Sequence, residues 1–332
     1  RIPLGYAPVA VTGFGIAYVI DLPDNAGVLT SLRLTPRLIA KALTQSYPGS
    51  NAGKGRPGIG NNPLSMNRDP EFAAINPGLA DRDLEAMATI LSLSESSDVL
   101  TALTEYLAAD ADAMAFIKGT PDPWGMVVNP AYKDITLPRE EWPLLDTWVK
   151  PSNLECEQQI STPYQTRIAS PVTSLRKIAE AVLDGQPNVQ TTCTRSTPTD
   201  PWKIGKIDRQ AYGARMMLGV VSLGDAARYG LTTAELLTDG SGATGRYVGA
   251  TPAALAAALP AARQKAVGGP FVVEQAALDP AAYPGTLVVH AAAKLSGLPA
   301  ADARYLAQFV EVATTEGQVR GSANGQLPAG FP

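Results

Sequence analysis

The sequence predicts an α/β fold in which helices cover sheets of mostly parallel strands. Short apolar runs of strand length alternate with segments of helical periodicity along the 332 residues. Hydrophobic side chains make up 45% of the chain and charged side chains only 17%. This composition supplies one large core or two smaller ones and excludes a disordered protein.

The first half of the chain begins with a strand and continues as helices. Residues 8–20 are apolar and carry two glycines, which predicts a buried strand with a bulge or bend. Thr35 is predicted as the N-cap of the next helix, with Pro36 in its first turn. Residues 48–63 are rich in Gly, Asn and Ser and predict a mobile surface loop. Helices are expected over 83–91, from Asp98 to 109 and, with Asp110 as the cap, from 111 to 119.

The second half predicts the same alternation after an irregular segment. Residues 120–170 contain three of the four tryptophans and no sustained period, so they predict a crossover. Helices are expected over 172–183, with Gly185 as the stop, and over 225–230, 251–265 and around 306–313. Strands are expected over 215–221, 271–273 and 287–289.

Two function classes are disfavoured by charge and hydropathy. The net charge is −4 and no segment concentrates Lys or Arg, so no nucleic-acid partner is expected. No apolar run approaches the roughly 20 residues of a membrane span, so no membrane insertion is expected.

The chain opens with Arg1 and lacks a signal sequence, which predicts a mature or truncated product.

The two cysteines indicate the compartment. Cys156 and Cys193 lie in a polar segment rich in Thr and Pro, whereas unpaired structural thiols prefer apolar cores. A disulfide between them predicts an extracellular or cell-surface location. The alternative is a pair of free thiols in a cytosolic protein.

Motifs for catalysis are weak, so neither enzymatic activity nor a cofactor is expected. His290, the single histidine, ends an apolar strand, where packing is the more frequent role. Residues 49–55 depart from a phosphate-binding loop in spacing and in their last position. Residues 240–245 fit either a flexible turn or an anion-binding nest. The tryptophans of the crossover fit either carbohydrate stacking or anchoring against the core. With one histidine and cysteines assigned to a disulfide, no metal site is expected.

Five stretches resemble the phosphate-binding proteins of ABC transporters, in the divergent form found in large secreted actinobacterial proteins. They are residues 6–20, 32–44, 122–130, 223–231 and 305–331, the last with the tail Gly-Gln-Leu-Pro-Ala-Gly-Phe. The resemblance implies the bilobal type II fold of periplasmic binding proteins, without its first half-lobe. It divides the chain into a second-lobe-like segment (1–120), a crossover (121–170) and a segment returning to the first lobe (171–332).

The resemblance also assigns a ligand site, with a departure from the family pattern. The family holds phosphate with a glycine-rich turn at a helix start. The matching residues here are Ser94, Ser96 and Ser97, accompanied by two carboxylates, and Thr12 is a further candidate ligand. The alternative for this turn is an ordinary N-cap at Ser97. We therefore predict weak or absent phosphate binding.

Two functional hypotheses follow, with an enzyme third. The first is a secreted solute-binding-like module without catalysis, whose ligand is unknown. The second is a structural or adhesive extracellular protein that uses the bilobal fold as a building block. Under either hypothesis, we expect a partner that completes the fold. This partner is an upstream segment, a separate chain or a second copy in a self-assembly.

Overall fold

A computed structural model describes residues 3–79, 85–324 and 326–327 of the chain. The first elements are the strands β1 (Leu4–Ile20) and β2 (Arg33–Leu34) and the helices α1 (Pro36–Leu43), α2 (Pro70–Ile75), α3 (Asp98–Ala109) and α4 (Ala111–Ile117). They are followed by α5 (Glu155–Gln159), α6 (Tyr164–Ile168), α7 (Leu175–Asp184), β3 (Thr192–Thr194), β4 (Lys203–Gly205), β5 (Met216–Ser222) and α8 (Leu223–Tyr229). The remaining elements are β6 (Thr232–Thr233), β7 (Glu235–Asp239), β8 (Arg246–Val248), α9 (Pro252–Ala258), β9 (Ala262–Gln264), β10 (Phe271–Val273), β11 (Thr286–Lys294) and α10 (Ala300–Thr314).

The long strand β1 organises the fold. Its first part, Leu4 to Gly13, pairs antiparallel with β11, and its second part, Phe14 to Ile20, pairs antiparallel with β5. The predicted bulge is present, but the register shifts between Pro8 and Ala10 rather than at the glycines. One strand thus runs through a four-stranded sheet, from a two-stranded part formed with β11, called the β1–β11 ribbon below, to a part formed with β5 and β6.

Helices cover both faces of the sheet around the second part of β1. Side chains alternate across a strand, so Phe14, Ile16, Tyr18 and Ile20 enter the large core with α1 and α3. Ala17 and Val19 enter a second core on the opposite face with α7. The predicted α/β class is therefore confirmed.

The predicted strand direction is wrong. Among the named strands in the described part of the chain, only β2 and β7 pair in parallel. The continuous apolar run of β1 correctly indicates burial on both faces, but it carries no information on the direction of the neighbouring strands. Because β1 meets β5 and β11 only through sequence-distant contacts, local patterns leave that direction open.

Helix boundaries follow the predicted caps closely. The Thr35 hydroxyl accepts from the Leu38 N–H at 3.1 Å, and the Asp110 carboxylate accepts from the Ala113 N–H at 2.7 Å. Gly185 ends α7 in the left-handed region with φ of 65°. The helix predicted to run to residue 265 instead ends at Ala258, because Pro260 follows and the chain enters β9.

The glycine-rich segment 48–63 is not a simple surface loop. It folds through successive turns, and Pro48, Gly49, Gly53, Ile59 and Asn62 are buried in it. The Asn62 side-chain amide donates to the carbonyls of Ser46 and Val127, each at 2.7 Å. Small residues permit this close packing, so glycine content here reflects tight turns rather than mobility.

The helix predicted over residues 83–91 is only partly testable. Residues 80–84 lie outside the described part of the chain. The rest forms one short 3₁₀ turn at Ala86–Ala88, after which Leu91 bridges to Gly219. The prediction of an α-helix to Leu91 is therefore wrong from Thr89 onward.

The irregular segment 120–170 is held by its aromatic side chains. Trp142 is buried, stacks on Tyr132 with ring centroids 6.1 Å apart, and donates its indole N–H to the Leu43 carbonyl at 2.7 Å. Trp148 packs against the large core. The anchoring role predicted for the tryptophans is confirmed for these two.

Cys156 and Cys193 form the predicted disulfide, which joins α5 to β3. None of the helices among the described residues has the length and apolar character of a membrane span.

The large core draws side chains from all three predicted segments, including Phe14, Trp142 and Tyr283. The division into lobes and crossover stays a prediction.

Candidate functional site

The predicted ligand residues Ser94, Ser96 and Ser97 lie together on the turn before α3. Ser97 is the N-cap of α3 and accepts from the Val99 N–H at 3.2 Å. The Ser94 hydroxyl donates to the Val172 carbonyl at 3.3 Å, and Ser96 is exposed. This arrangement is that of the N-cap alternative, in which the hydroxyls of Ser94 and Ser97 bond backbone groups of the protein.

Thr12, the fourth predicted ligand residue, lies on a different element. It is half-buried in β1 and pairs with Leu287 of β11. None of the cavities described below is lined by any of the four predicted residues. The predicted ligand set therefore remains a prediction without a cavity to support it.

The strongest electrostatic centre is a buried cluster that sequence reasoning missed. The Lys41 ammonium lies 2.7 Å from an Asp69 carboxylate oxygen, 2.8 Å from Glu71 and 2.6 Å from Asp122. All four side chains are essentially inaccessible to solvent. We call Lys41, Asp69, Glu71 and Asp122 the Lys41 cluster.

Neighbouring polar groups satisfy the remaining oxygens of the Lys41 cluster. The Tyr47 hydroxyl donates to Asp69 at 2.7 Å and the Thr35 hydroxyl donates to Glu71 at 2.7 Å. Arg37 donates to Glu71 at 2.9 Å, which makes Glu71 the carboxylate with two cationic partners. A buried ion network needs such additional hydrogen bonds to offset the loss of hydration.

The cluster separates the pKa values of its carboxyl groups. Burial raises the pKa of Asp69, and its bonds to Lys41 and Tyr47 only partly oppose this shift. Burial also acts on Glu71, but Lys41 and Arg37 outweigh it and hold the pKa of Glu71 below its usual value. For Lys41, burial favours the neutral amine, but Asp69 and Glu71 prevail and raise its pKa. Lys41 is therefore charged at neutral pH.

The chemistry of the Lys41 cluster is structural. Carboxylate oxygens of Asp69, Glu71 and Asp122 lie within 4.8 Å of one another, a spacing that also suits a divalent cation. In this protein the Lys41 ammonium is the cation between them. The exposed Trp124 ring covers the cluster, with Lys41 Nζ 5.9 Å from the ring centroid. The cluster thereby fixes α1, α2 and the loop that begins at Asp122.

One sequence signal was available for this cluster. Lys41 lies within the apolar run Ile39–Ala40–Lys41–Ala42–Leu43, where every residue is buried. A lysine inside such a run requires carboxylates from elsewhere in the chain. Which carboxylates meet it depends on the path of residues 66–126, which local patterns do not specify.

His290 and the glycine turn have structural roles. The His290 Nε2 atom accepts from the Phe271 N–H at 2.9 Å, and its ring stacks on Phe271 with centroids 6.2 Å apart. Burial lowers the pKa of His290, so the imidazole is neutral at pH 7. Residues 240–245 form the tight connection between β7 and β8, which agrees with the predicted turn.

Two cavities are relevant to ligand or partner binding. The first, of about 300 Å³, is lined by Tyr106 and by three carboxylates, Asp110, Asp239 and Asp279. The second, of about 400 Å³, is an apolar trough on the β1–β11 ribbon. Its lining includes Val9, Val11, Leu259, Phe271 and Val288.

The exposure of β1 changes abruptly along its length. Every residue from Gly13 to Ile20 is buried, whereas no residue from Leu4 to Thr12 is. In β11 only Thr286 is buried, and in α10, which packs against β1, no residue is. The β1–β11 ribbon and α10 therefore form an apolar face that the described part of the chain covers incompletely.

Comparison with known proteins adds no family assignment, since no family model and no curated protein matches this sequence.

Proposed function

We propose that the chain is a non-enzymatic extracellular module, related to phosphate-binding proteins of the bilobal type, that serves as a building block in an assembly. The observation that carries this proposal is the face formed by the β1–β11 ribbon and α10, which the described part of the chain covers incompletely. Apolar strands half-exposed on their surfaces are expected at a protein–protein contact, because isolated two-stranded ribbons have little stability of their own.

The disulfide supports the extracellular part of the proposal. Disulfides persist in secreted proteins and are rare in reducing compartments. The bilobal arrangement belongs to the same proposal. A covering polypeptide, in the form of another part of the precursor, a separate chain or a second copy, would bury the face that the described residues leave open.

Phosphate binding receives no support from the residues at the predicted turn. Ser97 already caps α3, and the carboxylates of Glu95 and Asp98 accompany it on exposed positions. A phosphate dianion at this turn would meet like charge, which outweighs the attraction of the helix N-terminus.

Isothermal calorimetry tests this proposal at pH 7. We expect no heat of binding from inorganic phosphate at concentrations up to about 1 mM, which corresponds to a binding free energy weaker than roughly 4 kcal/mol. Glu95→Gln/Asp98→Asn serves as the matched variant, because it removes the charge and keeps the shape. Micromolar phosphate binding by the natural chain would overturn the proposed function.

The acidic cavity favours one second candidate, the binding of a small cationic solute. Asp110, Asp239 and Asp279 line it, and no Lys or Arg is among its lining residues in the described part of the chain. A diamine such as putrescine carries the complementary charge. Under this alternative, putrescine raises the melting temperature of the natural chain and not that of Asp239→Asn.

A further inference from the structure

Helix α10 carries an apolar stripe wider than the face it packs on β1. Its inner row is half-buried and consists of Leu306, Val310 and Ala313. Its outer row consists of Tyr305, Phe309 and Val312, which are 70%, 56% and 42% exposed. The two rows are adjacent on the helix, so the exposed row continues the packed one. Two aromatic side chains in such a row mark an interaction surface.

One flank of the same helix carries a pair of opposite charges. Arg304 and Glu311 are seven residues apart, so they lie on the same side of the helix, within about 20° of each other. Both are exposed, and neither forms an ion pair with another residue in the described part of the chain. These two charges are available to a partner.

We propose that α10 packs antiparallel against the α10 helix of a second copy of this chain, an inference that rests on the proposed function. A twofold axis through the middle of the helix brings Arg304 level with Glu311 of the second copy, and Glu311 level with Arg304. In the same register, Tyr305 lies within about 1.5 Å along the helix axis of Phe309 of the second copy. Charge pairing and aromatic contact therefore select one arrangement.

Other arrangements of two copies are less favourable. A parallel pair would place Arg304 against Arg304 and Asp302 against Asp302, so like charges would repel. Strand addition beside the first part of β1 is disfavoured because Pro8 offers no N–H to a neighbouring strand and the Gln318 side chain already donates to the Val9 carbonyl. The antiparallel helix pair brings Arg304 and Glu311 opposite each other with no contribution from another protein.

Sedimentation equilibrium of the 332-residue chain provides the first test. We expect a concentration-dependent dimer for the natural sequence and a monomer for Phe309→Asp. The control is Tyr212→Asp, which alters an aromatic side chain that is 87% exposed and remote from α10 in sequence, and which leaves the dimer intact. Unchanged thermal melting of monomeric Phe309→Asp relative to diluted natural chain excludes misfolding as the cause.

Charge reversal provides the second test and specifies the register. Arg304→Glu and Glu311→Arg should each raise the dissociation constant of the homodimer about tenfold or more, because like charges then meet twice. An equimolar mixture of the two variants should dimerise as well as the natural chain, since each contact in the mixed pair joins opposite charges. The double reversal should also restore the homodimer.

Three outcomes overturn this inference. They are a natural chain that stays monomeric at all concentrations, a dimer that is insensitive to these variants, and a monomer in which hydrogen exchange shows α10 to be protected by another part of the chain. Each is distinct from failure of the proposed function, which calorimetry reports through phosphate binding whatever the oligomeric state.

Discussion

At the scale of single residues, Lys41 is the side chain on which the local fold depends most. It connects three carboxylates from two separate segments, the start of α2 and the loop that begins at Asp122, and all of these groups are essentially inaccessible to solvent. Removing one member of a buried ion network leaves the others charged and unpaired. The resulting loss of folding free energy is larger than the stabilisation that the complete network provides.

Replacement of Lys41 tests this dependence. We expect Lys41→Met to lower the free energy of unfolding by about 3 to 5 kcal/mol, because three buried carboxylates lose their shared cation. The matched control is Lys265→Met, which removes an exposed lysine 3.3 Å from Glu105 and should cost no more than about 1 kcal/mol. Urea denaturation measures both, and equal losses would contradict the structural role of the cluster.

Asp21 provides a test of pH dependence. Hydrogen bonds from the Arg215 side chain hold the pKa of Asp21 below its usual value, with further bonds from the Gly213 and Arg215 N–H groups. A lowered folded-state pKa means that the stabilisation is complete above the unfolded pKa, near 4, and is lost as the pH falls through the folded pKa.

We therefore expect Asp21→Asn to lower the free energy of unfolding by about 2 kcal/mol at pH 7. The loss should become progressively smaller as the pH falls below about 4. Asp184→Asn is the control, because Asp184 pairs with Arg209 at an exposed site and should contribute little at any pH. Urea unfolding curves measured from pH 7 to pH 3 report the difference. A cost for Asp21→Asn that is independent of pH would rule out the ion pair as its origin.

At the scale of elements, the disulfide joins two of the shortest ones. Helix α5 and strand β3 have five and three residues and would be marginal alone. Cys156 and Cys193 are 37 residues apart, and closing a loop of that length stabilises the folded state by about 4 kcal/mol on chain-entropy grounds.

The double variant Cys156→Ser/Cys193→Ser should therefore lower the melting temperature by several degrees, and it should leave α10 and β1 unchanged. Scanning calorimetry of the oxidised chain, the chemically reduced chain and the double variant measures this effect. The reduced chain and the variant should melt together. If the oxidised chain melted with them, the disulfide would have no stabilising role.

Elements with a local signal were predicted well from sequence. The caps at Thr35 and Asp110 and the glycine stop at Gly185 depend on residues within one turn of the helix end. Strand direction and the burial of residues 48–63 depend on contacts made across large sequence distances, as in the bond from Asn62 to Val127. The Lys41 cluster was missed for the same reason, since its members lie between positions 41 and 122.

At the scale of the whole molecule, two halves of one strand differ in how they are covered. Residues 13–20 of β1 lie between two cores, whereas residues 4–12 have one paired edge and partial cover on their faces. Local opening is easiest where few apolar contacts protect the backbone.

We expect amide hydrogen exchange in the monomer to be much faster over residues 4–12 than over 14–20. The slow segment should exchange only by global unfolding, because both of its faces are buried. On dimerisation, protection should increase in α10 and stay constant over 14–20. Uniform exchange along β1 in the monomer would contradict the incomplete cover described above.

The length of β1 also has a mechanical consequence. Its 17 residues span about 55 Å, from the β1–β11 ribbon to the centre of the molecule, without leaving the strand conformation. Tension applied along this axis is transmitted through one continuous backbone and shears the seven residue pairs with β5 together rather than peeling them apart one by one. The protein would therefore resist extension most strongly in the direction of this strand.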